Sequence, residues 1–217
     1  MIVDLHLKGR LAIVVGAGAE GLKKIDSLLT QDCEILVISE TVNPQIKKHI
    51  EKNKIKFKKT RLQNADFLSK FKPYLVMATT DNKELNRKIV KKAKAMKCFA
   101  YASDDPKTSD FAHPSVINIA DTIQIAVSTR GKSPVMAKKI RQDAEKIFKK
   151  TIKKEDILQI RLQDEMREKA RANIPSQKER KKYLYRIIRD AQIKQLIKDD
   201  QFQMAQKRAK EMLKDWK

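Results

Sequence analysis

Glycine, cysteine and long apolar runs are all scarce in this sequence. Only two cysteines and five glycines occur among 217 residues. No apolar run approaches the ~20 residues that cross a bilayer. The opening stretch, Met1 to Arg10, lacks the apolar core and cleavage site of a secretory leader. The expectation is a chain that neither spans a membrane nor is exported. Cys33 and Cys98 cannot build a disulfide framework, nor a four-ligand zinc site by themselves. Both lie in apolar segments, so they read as buried, reduced thiols in a cytoplasmic setting. Acidic residues are also in deficit, 27 against 49 Lys and Arg, which leaves a net charge of +22. Aromatics reach only 6%, few for a surface that stacks bases. The apolar share of 41% suits a globular chain with a core and argues against disorder.

A chain this sparing with glycine places it where the backbone needs it. Gly16, Gly18 and Gly21 fall within six residues, and none occurs after Gly131. Around them the sequence alternates. Apolar runs at 11–15, 34–39, 74–78 and 98–102 read as buried strands, with a basic strand near 55–60. Segments 19–30, 44–52 and 82–96 show helical spacing. Strands alternating with helices predict an α/β fold, a Rossmann-like parallel sheet. The pattern changes after Asp105. Segments 116–119 and 123–128 read as a hairpin. Ser133-Pro134 then opens a helix, with Ser at the N-cap and Pro at the first helical position. Val135, Met136, Ile140, Ile147 and Phe148 are its expected buried face. From 151 on, helices are expected near 154–172, 177–198 and 200–215. The predicted division is 1–112, a nucleotide-binding domain; 113–150, a small α+β region; and 151–217, a helical C-terminal region. The positive excess is spread over all of it and is no basic tail.

Gly16-Ala17-Gly18-Ala19-Glu20-Gly21 fits G-x-G-x-x-G, between a strand and a helix in the first βαβ unit. The first glycine makes the turn, the second lets a pyrophosphate approach the backbone, and the third allows helix–strand packing. Amides near Ala19 and Glu20 would face the phosphates. Glu40, 19 residues after Gly21, is placed to meet the adenosine ribose, with Thr41 beside it. An acid there favours NAD over NADP, because it repels a 2′-phosphate. Thr79 and Thr80 lie on the same carboxyl edge; the alternative is that Thr80 or Asp81 caps the next helix.

Ser103-Asp104-Asp105-Pro106 ends the last parallel strand. A carboxylate there can orient a substrate or take its proton, and a turn-forming Asp is the plainer alternative. Ser128, Thr129, Arg130, Lys132 and Ser133, next to a helix N-terminus, have an anion-binding composition; a capped loop with solvated charges is the alternative. His113 is a candidate substrate or metal contact or a structural ring. No His/Cys cluster argues for a stable metal site.

Three groups of residues resemble the precorrin-2 dehydrogenase and sirohydrochlorin ferrochelatase family, the dehydrogenase module of siroheme synthases. They are Val14 to Leu29 with Lys24; Ala78 to Asn82 with Asn86; and Asp104-Asp105-Pro106 through Asp110-Phe111, Pro114-Ser115, Ile125 to Thr129 and Gly131 to Pro134. The resemblance covers about residues 1–150. It implies NAD-dependent oxidation of precorrin-2 to sirohydrochlorin, with Asp104 as the catalytic aspartate. It also implies a homodimer held through the 113–150 region, and it leaves insertion of ferrous iron open. A polycarboxylate tetrapyrrole suits the +22 charge, with His113, Ser128, Thr129, Arg130, Lys132 and Ser133 as substrate contacts. Departures are Arg130 where the family commonly has glycine, Ala-Ser before Asp104, and a cofactor loop closer to the general dinucleotide pattern. Two other classes stay open: a non-catalytic sensor of NAD or another ligand, and a nucleic-acid binder.

Overall fold

A computed structural model describes residues 2–216. These residues form two compact units, one ending at His113 and one beginning at Pro114.

The first unit alternates strand and helix: β1 (Leu11–Val15), α1 (Ala19–Leu28), β2 (Glu34–Ser39), α2 (Pro44–Glu51), β3 (Lys56–Lys59), α3 (Phe67–Phe71), β4 (Leu75–Ala78), α4 (Lys83–Ala95) and β5 (Phe99–Ala102). All five strands are parallel, in the order β3-β2-β1-β4-β5. β1 is central and its apolar residues are buried on both faces, as a sheet covered on two sides requires. Ala12, Val14, Val37 and Met77 pack with Ile25 and Leu28 of α1. Ile13, Val15, Val76 and Ala102 pack with Leu85 and Ile89 of α4. The strand order reverses beside β1, which opens a crevice at the carboxyl ends of the strands. The short helix α3 has no counterpart in the sequence expectation. Its five residues are too few to show periodicity.

The second unit begins with an antiparallel hairpin, β6 (Ser115–Ile119) and β7 (Ile123–Val127), followed by α5 (Pro134–Thr151). Ser133 caps α5, accepting from the Met136 amide at 3.2 Å. The expected buried face of α5 is largely uncovered: Val135, Met136, Ile140 and Ile147 are exposed, Phe148 is half-buried, and Ala137 is the buried residue of the helix. The apolar stripe is present, but among the described residues most of it stays exposed.

Helices α6 (Lys154–Asn173), α7 (Gln177–Arg189), α8 (Ala191–Lys198) and α9 (Phe202–Lys214) form a bundle. Leu162, Met166, Tyr183, Ile187 and Ile193 fill its core. The expected single helix over 177–198 is broken at Asp190, whose backbone is extended. Its carboxylate caps α8 by accepting from the Ile193 amide at 2.8 Å, and Arg208 grips both of its oxygens at 2.9 and 2.7 Å. A contact from a distant helix thus decides a break that helical periodicity does not mark.

Cys98 is buried and its thiol is pushed up to about 11 by burial and by Asp110. Cys33 is half-buried rather than buried, and burial raises its thiol as well. Both are therefore poor nucleophiles at neutral pH.

Candidate dinucleotide site

A cavity of about 550 Å³ opens at the carboxyl edge of the parallel sheet. Each strand end contributes. Gly16, Gly18, Ala19 and Glu20 follow β1; Ser39, Glu40 and Thr41 end β2; Thr60 and Arg61 follow β3; Thr79, Thr80 and Asp81 follow β4; Ser103 follows β5. The structure thus gathers Gly16, Gly18, Ala19, Glu20, Glu40, Thr41, Thr79 and Thr80 around one space.

The three glycines differ in what surrounds them. Gly16 has a φ of +101°, and a Cβ there would lie 2.7 Å from the Thr79 carbonyl oxygen. A Cβ on Gly21 would lie 2.2 Å from the Gly16 carbonyl oxygen, so α1 sits on the loop too closely for any side chain. A Cβ on Gly18 would meet nothing within 4 Å, because it faces the cavity. No side chain caps α1, so its first amides carry no side-chain partner where they face this space. Unsatisfied N–H groups with an open glycine backbone fit a pyrophosphate.

The loop is pinned from three sides. The Gly16 amide donates to the Ile38 carbonyl at 2.9 Å. The Ala17 amide donates to Ser39 Oγ at 3.2 Å. The buried Thr79 hydroxyl donates towards the Val15 and Gly16 carbonyls at 2.9 and 3.0 Å. Thr79 lines the site but spends its hydroxyl holding the loop. Neither Thr80 nor Asp81 caps α4: Asn82 does, accepting from the Leu85 amide at 2.9 Å.

Asp104 lies just beyond Ser103 and is exposed. One of its oxygens accepts from the Asn86 side-chain amide at 2.8 Å. Asn86 is fully buried. Its oxygen accepts from the Thr80 amide and hydroxyl at 3.3 and 2.7 Å, and its nitrogen also donates to the Thr80 carbonyl at 2.9 Å. Asp110, three residues short of the end of the unit, accepts from the Ala100 amide at 2.9 Å and pairs with Lys94 at 3.0 Å. It satisfies the open side of edge strand β5.

His113 is not a wall of the cavity. Its ring packs edge-on against Tyr101 and Phe111, with centroids 5.1 and 5.5 Å apart. His113 is exposed as a residue, and the packing of its ring against these neighbours, with Lys24 nearby, pushes its pKa down to about 4. The Lys24 ammonium lies 4.5 Å from the Tyr101 ring centre, and burial lowers its pKa too.

Ser128, Thr129, Arg130, Lys132 and Ser133 lie in the second unit, ahead of α5. The hydroxyls are occupied: Thr129 Oγ1 donates to the Ser133 carbonyl and accepts from the Ser133 amide, both at 3.1 Å, and Ser128 Oγ accepts from the Arg130 amide at 3.1 Å. The Arg130 and Lys132 side chains are exposed. Arg130 has a φ of +53°, a left-handed conformation that glycine adopts without strain. The unit also holds a groove of about 710 Å³ between α6 and α7, which includes none of the expected site residues.

Sequence reasoning gave Arg61 and Ser39 no role, and gave Asn86 none beyond its place in the resemblance. Arg61 follows a strand whose carboxyl end reaches the crevice, which is the signal that marks it. Asn86 stands four residues after Asn82, on the same face of α4.

A family model described as "Putative NAD(P)-binding" matches residues 3–115, and one described as "Sirohaem biosynthesis protein central" matches residues 121–145. A siroheme synthase of Nitrosococcus oceani is 30% identical over 67% of this chain, which spans only 30% of that protein's length. A "Putative precorrin-2 dehydrogenase" of Methanocaldococcus jannaschii is 29% identical, covering 89% of this chain and 92% of its own. A precorrin-2 dehydrogenase of Bacillus subtilis is 24% identical over 67% of this chain and 87% of its own. Among solved structures, "SirC, precorrin-2 dehydrogenase" shares the fold, with a TM-score of 0.68 at 22% identity over 96% of this chain and 99% of that one.

Proposed function

The chain belongs to the NAD(P)-binding family whose model spans residues 3–115, and from that premise we propose that it oxidises precorrin-2 to sirohydrochlorin with NAD. The observation that carries this reading is one carboxyl edge that bears both a glycine-lined cavity and a positioned carboxylate. Gly16 to Gly21 shape the cavity, and Asn86 holds Asp104 beside it. The similarity to precorrin-2 dehydrogenases over most of their length supports the same reading.

The uncapped start of α1 binds the pyrophosphate through the amides near Ala19 and Glu20. Glu40 accepts from the ribose hydroxyls, with Thr41 beside it. NAD, when bound, supplies the hydride acceptor. Oxidation removes one hydride and one proton from the macrocycle, so the protein must receive the proton. Asp104 is the proposed acceptor: it is exposed, and Asn86 holds one of its carboxylate oxygens. Orientation is the rest of the protein's contribution. Arg130 and Lys132 are the proposed carboxylate contacts, as exposed cations on a constrained loop. His113 is held neutral, and its proposed contribution is shape and hydrogen bonding rather than charge.

The proposed partner is a second copy of this chain. Val135 and Ile147 are 78% and 63% exposed on one helix, with Met136 and Ile140 between them and Val116 exposed on β6. Apolar stripes of this kind are buried by association.

The test is an incubation of the purified protein with enzymatically generated precorrin-2 and NAD, without metal. NADH and the sirohydrochlorin spectrum should appear together. NAD binding without conversion would replace the enzyme by a sensor, and no NAD binding would remove the cofactor assignment.

A further inference from the structure

The cavity contradicts the charge of the chain around it. In a protein of net charge +22, its walls carry, among the described residues, three acids, Glu20, Glu40 and Asp81, and one cation, Arg61. That cation faces an acid. Arg61 Nε lies 3.7 Å from Glu40 Oε2, and the two side chains are 78% and 59% exposed.

The backbone beneath the pair is fixed. The Thr60 amide donates to the Ser39 carbonyl at 3.0 Å, which extends the β2–β3 pairing one residue past the last strand position. Ser39 Oγ in turn holds the Ala17 amide at 3.2 Å. Glu40 and Arg61 therefore stand on adjacent strand ends tied to the glycine loop. The side chains above are free. An exposed ion pair contributes little, so the guanidinium can exchange a carboxylate for a better anion. Its planar fork suits a phosphate.

We propose that Glu40 and Arg61 form a two-residue selector at the adenosine end of the cavity. This rests on the dinucleotide reading above and extends it to a residue with no assigned role. Glu40 accepts from the ribose hydroxyls and repels a 2′-phosphate. It also occupies Arg61, which is a phosphate receptor held in reserve. Removing the Glu40 charge turns the same cavity into a site for the 2′-phosphorylated dinucleotide. Lys59, the register partner of Ser39 on β3, is the nearest rival cation in sequence, but it does not line the cavity.

The experiment measures binding of NADH and NADPH by nucleotide fluorescence, with no macrocycle present. It compares the native protein with Glu40→Ser, Arg61→Ala and the double variant. Thermal melting checks each fold, which these exposed positions should not disturb. The native protein should prefer NADH. Glu40→Ser should lose about 10-fold for NADH and gain about 10- to 100-fold for NADPH, the range of one to two charge-assisted hydrogen bonds. The double variant should lose the NADPH gain. A gain that survives in the double variant, or no gain in Glu40→Ser, would overturn the selector while leaving the cofactor site standing. Failure of the native protein to bind either nucleotide would overturn the dinucleotide reading, and the selector with it.

Discussion

The side-chain amide of Asn86 donates to Asp104 Oδ1 across 2.8 Å, while the same fully buried side chain clamps Thr80. One residue of α4 thereby ties the ends of β4 and β5 together. It places the candidate proton acceptor and a cavity-lining threonine on the same support.

Replacing Asn86 by Ala removes the partner of the Thr80 amide and carbonyl, which are half-buried at the cavity wall. A fully buried group left unpaired costs about 1–3 kcal/mol and these cost less, because water reaches them, so the melting temperature should fall modestly. Turnover should fall more than NAD affinity, because Asp104 loses its fixed orientation. Asn86→Asp separates position from charge. A second carboxylate beside Asp104 disfavours ionisation of the pair and raises one pKa, so the acidic limb of the pH–rate profile should move to higher pH. An unmoved limb would show that Asp104 does not titrate in the rate-determining step.

The three glycines should fail in different ways. Gly16→Ala and Gly21→Ala put a Cβ against backbone, at 2.7 and 2.2 Å. Overpacking of this kind costs about 1–3 kcal/mol, and both variants should melt lower. Gly18→Ala meets open space and should melt like the native protein, yet it should bind NAD at least 10-fold more weakly because the methyl occupies pyrophosphate space. Calorimetry and nucleotide titration read both effects.

How much of this was legible in the sequence depends on range. β1, β2 and the glycine loop could be read because short apolar runs and the G-x-G-x-x-G spacing are local signals. The carboxyl-edge position of Glu40, Thr79 and Asp104 followed from strand alternation alone. What was not legible required contacts across the chain. Asn86 became significant only when α4 brought it to Asp104, 18 residues away. Asp190 looked like a helical residue until Arg208 fixed it as a cap. The apolar stripe of α5 is visible in the residue spacing, but a single chain's sequence does not say whether such a stripe is covered by its own fold.

His113 gives a pH test of the first unit. Its pKa in the fold is about 4 against an ordinary value of 6.5. Between these values the unfolded chain binds a proton that the folded chain does not, so stability rises with pH across that window. Acidification from about 6.5 to about 4 should therefore destabilise the unit. His113→Gln should flatten that part of the curve. Denaturant titrations at a series of pH values would show it, and an identical slope in the variant would contradict the assignment.

The α5 stripe predicts the assembly state. Val135→Asp and Ile147→Asp place charges on an exposed apolar face, so neither should unfold the protein, since exposed substitutions stay within about 0.5 kcal/mol. Both should shift sedimentation from dimer to monomer. A native protein that sediments as a monomer would contradict the proposed second copy.

On the proposed reading, this carboxyl edge moves a hydride from precorrin-2 to NAD and Asp104 takes the proton. The most direct test is an anaerobic single-turnover reaction that counts NADH against sirohydrochlorin, for the native protein and for Asp104→Ala. The native protein should form one NADH for each macrocycle oxidised. The variant should lose at least 100-fold in rate, the low end of what a positioned base contributes, with NAD binding retained. Sirohydrochlorin formed at the native rate by Asp104→Ala, or formed without matching NADH, would rule this mechanism out.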